Sequence, residues 1–259
     1  MNPPGDDSIN SESLASRRTW SSSVRLQTGP PLPPEVLAKR RQLPLKVAPV
    51  TLLGARVKLR PLDLSRDVSV LHRVTNGDPI IAGELRLAAY DPDALVWRYL
   101  TGGPFATAPD LRDWLEPQLT ASNGLCLSVL DRSTGSPIGV VNYMNNEPAH
   151  LKVELGGIWY SPIVQGSSAT RQASYLLLSH AFRLGYRRVE WKCDALNERS
   201  RRAALGLGFK FEGIQEAHCI IKGRNRDTAW FRMLSSEWSE VKTRLRERLG
   251  STARPVTEQ

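Results

Sequence analysis

Leu151 to Phe182 reads LKVELGGIWYSPIVQGSSATRQASYLLLSHAF, and the order of patterns in it limits the folds open to the chain. A strand pattern containing two adjacent glycines, Gly156 and Gly157, gives way to a proline and a knot of small polar residues. A long run of apolar-periodic residues follows, and then a further strand pattern, Val189 to Cys193 (VEWKC). Strand, helix and strand in that order form a crossover unit, which pairs two strands in parallel and lays the helix over the sheet. Glycine inside a strand marks a bulge or a close approach of backbone.

The rest of the chain supplies the other strands. Arg56 to Leu62 (RVKLRPL) alternates as a first strand, and DVSVLHRVTN reads as a short amphipathic helix. APDLRDWLEPQLTAS has a helical period in which Pro117 is expected to kink or break the helix. Leu125 to Asp131 and Ile138 to Met144 are strands joined by the turn RSTGSP. Glu198 to Leu207 is a helix and Phe209 to Ile214 a strand. AHCIIKGRNRDTAWFRML is a hairpin turning at Lys222 to Asp227. SSEWSEVKTRLRERL closes as an amphipathic helix capped by Ser235 or Ser236. The expected fold is α/β, with a mixed, mostly antiparallel sheet and one crossover. Residues 1–50, rich in Ser and Pro, are expected to be mostly disordered or an arm laid over the domain, with one short helix in PEVLAKRRQL. The domain proper is expected over 51–249 and a flexible tail over 250–259.

Composition removes several classes. No apolar run reaches the ~20 residues that span a bilayer, and MNPPGDDSINSES lacks the apolar core of a secretory signal. Three widely spaced cysteines, Cys126, Cys193 and Cys219, suit reduced, buried thiols in a cytoplasmic compartment. Neither Cys-x-x-Cys nor His-x-x-x-His spacing occurs, so no metal is expected. The net charge of +9 suits a nucleic acid or a polyanionic small molecule. The arginines are spread along the chain and not interleaved with aromatics, which argues against nucleic acid.

The small residues where the long helix begins have two readings. Ser and Thr cap orphan N–H groups in a first turn. A first turn of small residues is equally a place for a phosphate, held by backbone N–H groups and the helix dipole. The residues alone leave both open.

WYSP…Q…A, RRVEWKCDALN, SRRAALGLGF and KGRNRDTAWF, taken together over about 55–238, resemble the GNAT superfamily of acyl-CoA-dependent N-acetyltransferases, and within it the RimJ/RimL-like branch. The resemblance implies a GNAT fold with splayed central strands flanked by helices. It implies transfer of acetyl from acetyl-CoA to a primary amine, at a protein N-terminus or on a small amine, by direct attack in a ternary complex. It places the coenzyme's pyrophosphate on Gln165, Gly166, Ser167, Ser168, Ala169 and Thr170, although Ser168 and Thr170 stand where the family prefers Gly or Ala. It places the pantetheine arm along Ile158, Trp159 and Tyr160 and near Asn197, with a helix cap as the other reading for Asn197. Ser200 becomes the acid that protonates the departing thiolate, because the position of the tyrosine that many members use is Ala204. Glu154 becomes the base that takes the amine's proton, with an outward-facing strand residue as the other reading and Glu212 as a second choice. Arg201, with Arg199 and Arg202, becomes a candidate for the coenzyme's 3′-phosphate. Trp97, Tyr99 and Arg224 are expected at the acceptor groove. The partners implied are acetyl-CoA and an amine acceptor, with no membrane, for a monomer or homodimer. A GNAT-fold binding or scaffold protein without catalysis is the other reading of the whole.

Overall fold

The computed structural model describes residues 29–250 and the pair Thr257–Glu258; the expected disorder over most of 1–50 falls largely outside them. The compact unit begins at Pro34. It opens with α1 (Pro34–Gln42), β1 (Leu52–Leu53), β2 (Val57–Pro61), α2 (Leu64–Arg73) and a small hairpin, β3 (Ile80–Ala82) and β4 (Leu85–Leu87). A π-helical turn (Asp93–Trp97), α3 (Ala108–Thr120), β5 (Leu125–Asp131), β6 (Pro137–Glu147) and β7 (Lys152–Tyr160) follow. The chain ends with α4 (Ser168–Leu184), β8 (Arg188–Asp194), α5 (Glu198–Leu207), β9 (Lys210–Ile221), β10 (Arg224–Leu234), α6 (Trp238–Leu249) and β11 (Thr257–Glu258).

Nine strands form one sheet in the order β11-β1-β2-β5-β6-β7-β8-β10-β9. Every pairing is antiparallel except that of β7 with β8, which the crossover through α4 makes parallel. The two faces bury separate cores. One packs Val153, Leu155, Trp191 and Phe231 under α4, with Leu176, Leu177 and Ala181. The other packs Val140 and Trp159 under α2 and α3, with Leu71, Trp97, Leu111 and Leu115.

α4 is buried along most of its length, and polar atoms tie it to the sheet. The Tyr143 hydroxyl donates to the Leu177 carbonyl at 2.6 Å, and Gln172 Oε1 accepts from the N–H groups of Arg56 and Val57. Gly185 ends the helix at φ +98°, its N–H bonded to the carbonyls of Ala181 and Phe182. On the opposite face Asp67, 1% exposed, takes both guanidinium nitrogens of Arg60 and the hydroxyl of Ser128.

Several local expectations need correction. α3 runs through Pro117 to Thr120, because the proline lies near the helix end and costs one backbone bond to the Asp113 carbonyl. The hairpin turn is Lys222–Gly223, both at positive φ, so Arg224 to Asp227 belong to β10. Glu237, not Ser235 or Ser236, precedes α6, and no side chain caps that helix. Leu43 and Val47, within the expected arm, are buried in the core under α4, and Thr257–Glu258, in the expected tail, pair with Leu52–Leu53.

Truncating Asp67 leaves the partly buried Arg60 guanidinium without its counter-charge. Asp67→Ala should lower unfolding free energy by about 3–5 kcal/mol in urea titration. A second expectation concerns acid. Burial pushes the Glu237 carboxyl up, but hydrogen bonds from Arg232 and Lys210 outweigh that and hold it at about 2, against 4.5 ordinarily. A depressed carboxylate stabilises the fold fully above its unfolded value and loses that as pH falls through its folded value. The melting-temperature gap between the protein and Glu237→Gln should therefore be constant from neutral pH to roughly 5.5 and close between about 4.5 and 2.

Candidate active site

β7 and β8 pair over three positions, Lys152–Arg188, Val153–Val189 and Glu154–Glu190, and then part. From Leu155 to Tyr160, β7 is bonded to β6 alone, so its other edge borders a gap. The cause is local. Trp159 stands opposite Val140 but Gly156 opposite Asn142, so β7 carries an extra residue there. Gly157 takes φ +55°, and Asn142 Nδ2 donates to its carbonyl at 3.1 Å. A bulged strand bends and twists away from its neighbour. Ile158, Trp159 and Tyr160 lie along this free edge. The side chains of Trp159 and Tyr160 are buried in opposite cores, so what that stretch offers the gap is main chain. An extended ligand arm can bond to such an edge as an added strand does.

β7 leads through a short 3₁₀ turn (Pro162–Val164) to the N-terminus of α4. Ser167 caps it, its Oγ accepting from the Ala169 N–H at 3.2 Å. The Thr170 hydroxyl turns back to the Ser167 carbonyl. The N–H groups of Ser168 and Thr170 have no partner among the described residues. Gly166 has φ +71° and open space where a Cβ would stand. One N–H of the first turn is therefore capped, as the first reading expects, and two are left without a partner among the described residues, where the second expects a phosphate.

Gln165 does not extend into solvent. Its Nε2 donates to the carbonyls of Leu95 and Tyr160 at 2.9 and 3.2 Å. Arg199 joins it, donating to Gln165 Oε1 at 3.3 Å and to the Ala94 carbonyl at 2.5 Å. From the β9–β10 turn, Lys222 Nζ donates to the Trp97 carbonyl at 2.8 Å. Three main-chain carbonyls of one π turn thus hold side chains from three different elements.

Glu154 sits at the last paired position before the gap and is 5% exposed. Its Oε2 accepts from Asn145 Nδ2 at 2.7 Å and from Lys192 Nζ at 2.9 Å. Its Oε1 has no hydrogen-bond partner among the described residues, and lies 2.9 Å from where a Cβ on Gly156 would be. Lys192 also pairs with Glu190 at 3.2 Å and stands 4.0 Å from the centre of the Trp230 ring. Burial pushes Glu190 up, but Arg188 and Lys192 outweigh it and hold the carboxyl below its ordinary value. Glu154 is thus no outward-facing residue of an exposed sheet. Glu212 is placed elsewhere: it pairs with Arg188 and Arg232 at the opposite end of β8.

Asn197 caps α5, its Oδ1 accepting from the Ser200 N–H at 3.0 Å. The Ser200 hydroxyl accepts from the Trp191 indole at 3.0 Å. Ala204, one turn on, is fully buried. Arg201 donates to the Ala195 carbonyl and lies over Phe211, and Arg202 stands 3.9 Å from Glu198 in solvent. Arg199, of the three, is the one that reaches the Gln165 loop.

Trp97 is not available to an acceptor. It is 1% exposed, packed among Phe105, Trp114 and Trp159, with its indole on the Thr75 carbonyl. Tyr99 is half-buried and Arg224 exposed. Cys126 and Cys193 are buried, whereas Cys219, expected to be buried, is half-exposed beside His218. Sequence reasoning missed Lys192, Asn145, Trp191 and Lys222. The alternation of Glu190 and Lys192 in VEWKC was the available signal for the first. Among the described residues no helix is long and apolar enough to cross a membrane, and no cluster of three His, Cys, Asp or Glu could hold a metal.

Known proteins share this architecture. A crystal structure of a GCN5-related N-acetyltransferase from Brucella melitensis superposes with a TM-score of 0.70 at 32% identity, over 78% of this chain and 89% of that one. A GNAT-family protein from Chromobacterium violaceum ATCC 12472 gives a TM-score of 0.70 at 31% identity, over 84% of this chain and 100% of that one. The Bacillus subtilis (strain 168) protein named "Putative ribosomal N-acetyltransferase YdaF" is 26% identical over 151 residues, 56% of this chain and 80% of its own length. The family model for the acetyltransferase (GNAT) domain matches residues 56–210, which contain the bulge, the gap, the capped helix and Ser200. With more than half of its length matched, the chain belongs to the GNAT acetyltransferase family.

Proposed function

We propose that this chain moves an acetyl group from acetyl-CoA to a primary amine, at a protein N-terminus or on a small amine, by direct attack in a ternary complex. One observation carries the reading: a strand edge freed by the bulge leads into a helix start with two unpartnered N–H groups, and a buried carboxylate stands where the strands part. The N–H groups of Ser168 and Thr170 suit a pyrophosphate, with Gly166, Ser167 and Ala169 shaping the turn, and the edge from Ile158 to Tyr160 suits a pantetheine arm. Gln165 and Arg199 brace that loop, and Arg201, on the first turn of α5, is the candidate for the 3′-phosphate. A name given to a relative for ribosomal N-acetylation favours a protein N-terminus, as in the RimJ/RimL-like branch, and a cytoplasmic setting.

The chemistry asked of the residues is modest. A neutral amine must face the thioester carbon, and near pH 7 amines are mostly protonated. Lys192 and Asn145 both hold Glu154 through Oε2, which leaves Oε1 to take the amine proton, directly or through one water. Main-chain N–H groups of the free β7 edge bond the thioester oxygen as charge develops on it. The amine nitrogen bonds to the acetyl carbon, the carbon–sulfur bond breaks, and the sulfur takes a proton through the Ser200 hydroxyl. Replacement of the family's small loop residues by Ser168 and Thr170 favours a second reading, a binding protein of the same fold without catalysis.

Calorimetric titration with acetyl-CoA separates the two. Binding should be saturable and be lost in Ser168→Trp, whose side chain blocks the helix start; no binding by the unsubstituted protein sinks the first reading. Glu154→Gln should lower kcat about 100-fold and leave acetyl-CoA binding unchanged. An unchanged kcat removes Glu154 from the chemistry.

A further inference from the structure

Ser200 is the only hydroxyl on the first turn of α5, and its neighbours narrow the directions its proton can take. Its backbone N–H is already held by the Asn197 cap. Its Oγ accepts the indole N–H of Trp191 at 3.0 Å, from the neighbouring strand. Trp191 is 6% exposed, and its ring packs against Phe209 at a centroid separation of 5.8 Å, so the indole is held by burial on one side and by the hydroxyl on the other. Ala204, on the same face of α5 and fully buried, brings no competing polar group. A serine oxygen has one proton and two lone pairs. With one lone pair occupied by an indole that cannot accept a hydrogen bond, the hydroxyl donates either to the neighbouring Cys193 sulfur on β8 or outward to a ligand.

We propose that Trp191 is a positioning residue for the acetyl transfer: its indole N–H orients the Ser200 hydroxyl as a donor toward the departing sulfur. This rests on the acyl-transfer reading above. As the amine nitrogen bonds to the acetyl carbon it gives its proton to Glu154, the carbon–sulfur bond breaks, and the sulfur keeps the electron pair and takes the Ser200 proton. Ser200 recovers a proton from water, which the proton released by Glu154 makes good. In that interval negative charge gathers on Oγ, and the indole N–H bonded to it stabilises the charge. Phenylalanine at the same place keeps an aromatic ring but loses the donor and part of the packing, and the double variant separates the two losses.

The test is steady-state kinetics on the full chain with acetyl-CoA and an accepted amine, for Trp191→Phe, Ser200→Ala and the double variant. Trp191→Phe should lower kcat about tenfold with the KM values for both substrates unchanged. In the Ser200→Ala background, which is itself slow, the same change should add nothing, since the indole then has no oxygen to act on. Equal losses in both backgrounds mean that Trp191 only packs, and overturn the proposal. Wild-type kcat in Trp191→Phe beside a slow Ser200→Ala overturns it while leaving the acyl-transfer reading intact. No transfer by the unsubstituted protein overturns both, whereas an unchanged Ser200→Ala overturns the proposal alone. Should Trp191→Phe not fold, indole 15N–1H spectra supply the second readout. Of seven tryptophan signals, one should move upfield in Ser200→Ala, and the same one should shift when acetyl-CoA is added. A spectrum in which neither change moves a common signal overturns the proposal.

Discussion

Everything at the centre of this molecule depends on one extra residue in β7. Two strands joined by a helical crossover would ordinarily stay paired along their length. Here three pairs form and the bulge at Gly156–Gly157 turns β7 away. The divergence leaves backbone groups unpaired in the middle of a nine-stranded sheet, a position where such groups are costly unless a ligand or water meets them. Glycine is needed for two separate reasons: Gly157 holds a positive φ, and Gly156 gives room to Met144 and the Glu154 carboxylate.

The ion pairs around the gap answer to that opening. Glu154 and Glu190 stand side by side on parallel strands, a like-charge placement that Lys192 makes tolerable by bonding both. The ammonium is in turn set over Trp230. On the helix side of the same strands, Trp191 and Cys193 alternate with these charges and complete the core under α4. One short strand, Arg188 to Asp194, therefore supplies both the apolar floor of one layer and the charge balance of the other.

Much of this was legible beforehand because it is local. The glycine pair, the small residues before a long apolar helix and the strand after it lie within one run of sequence, and the strands they predict are the strands that form. Errors came where burial failed to guide the period. β9 is exposed along almost its whole length, so no alternation joins Phe209–Ile214 to AHCII as one strand or shows that the turn ends at Gly223. Nothing near Trp97 in sequence announces the cluster with Phe105, Trp114 and Trp159 that withdraws it from the expected groove. Contacts between distant elements were the least visible. The Glu154–Lys192 and Lys222–Trp97 bonds join residues that share no motif, and they exist only once the sheet order is set.

The π turn at Asp93–Trp97 has a bearing on how such a protein can diversify. Gln165, Arg199 and Lys222 grip it through carbonyl oxygens of the main chain, which every residue type supplies equally. The outward side chains of that turn can be exchanged without releasing any of the three grips. Anchorage is thus separated from sequence identity at this turn, and a lineage could retune its outer surface while the helix start it braces keeps its shape.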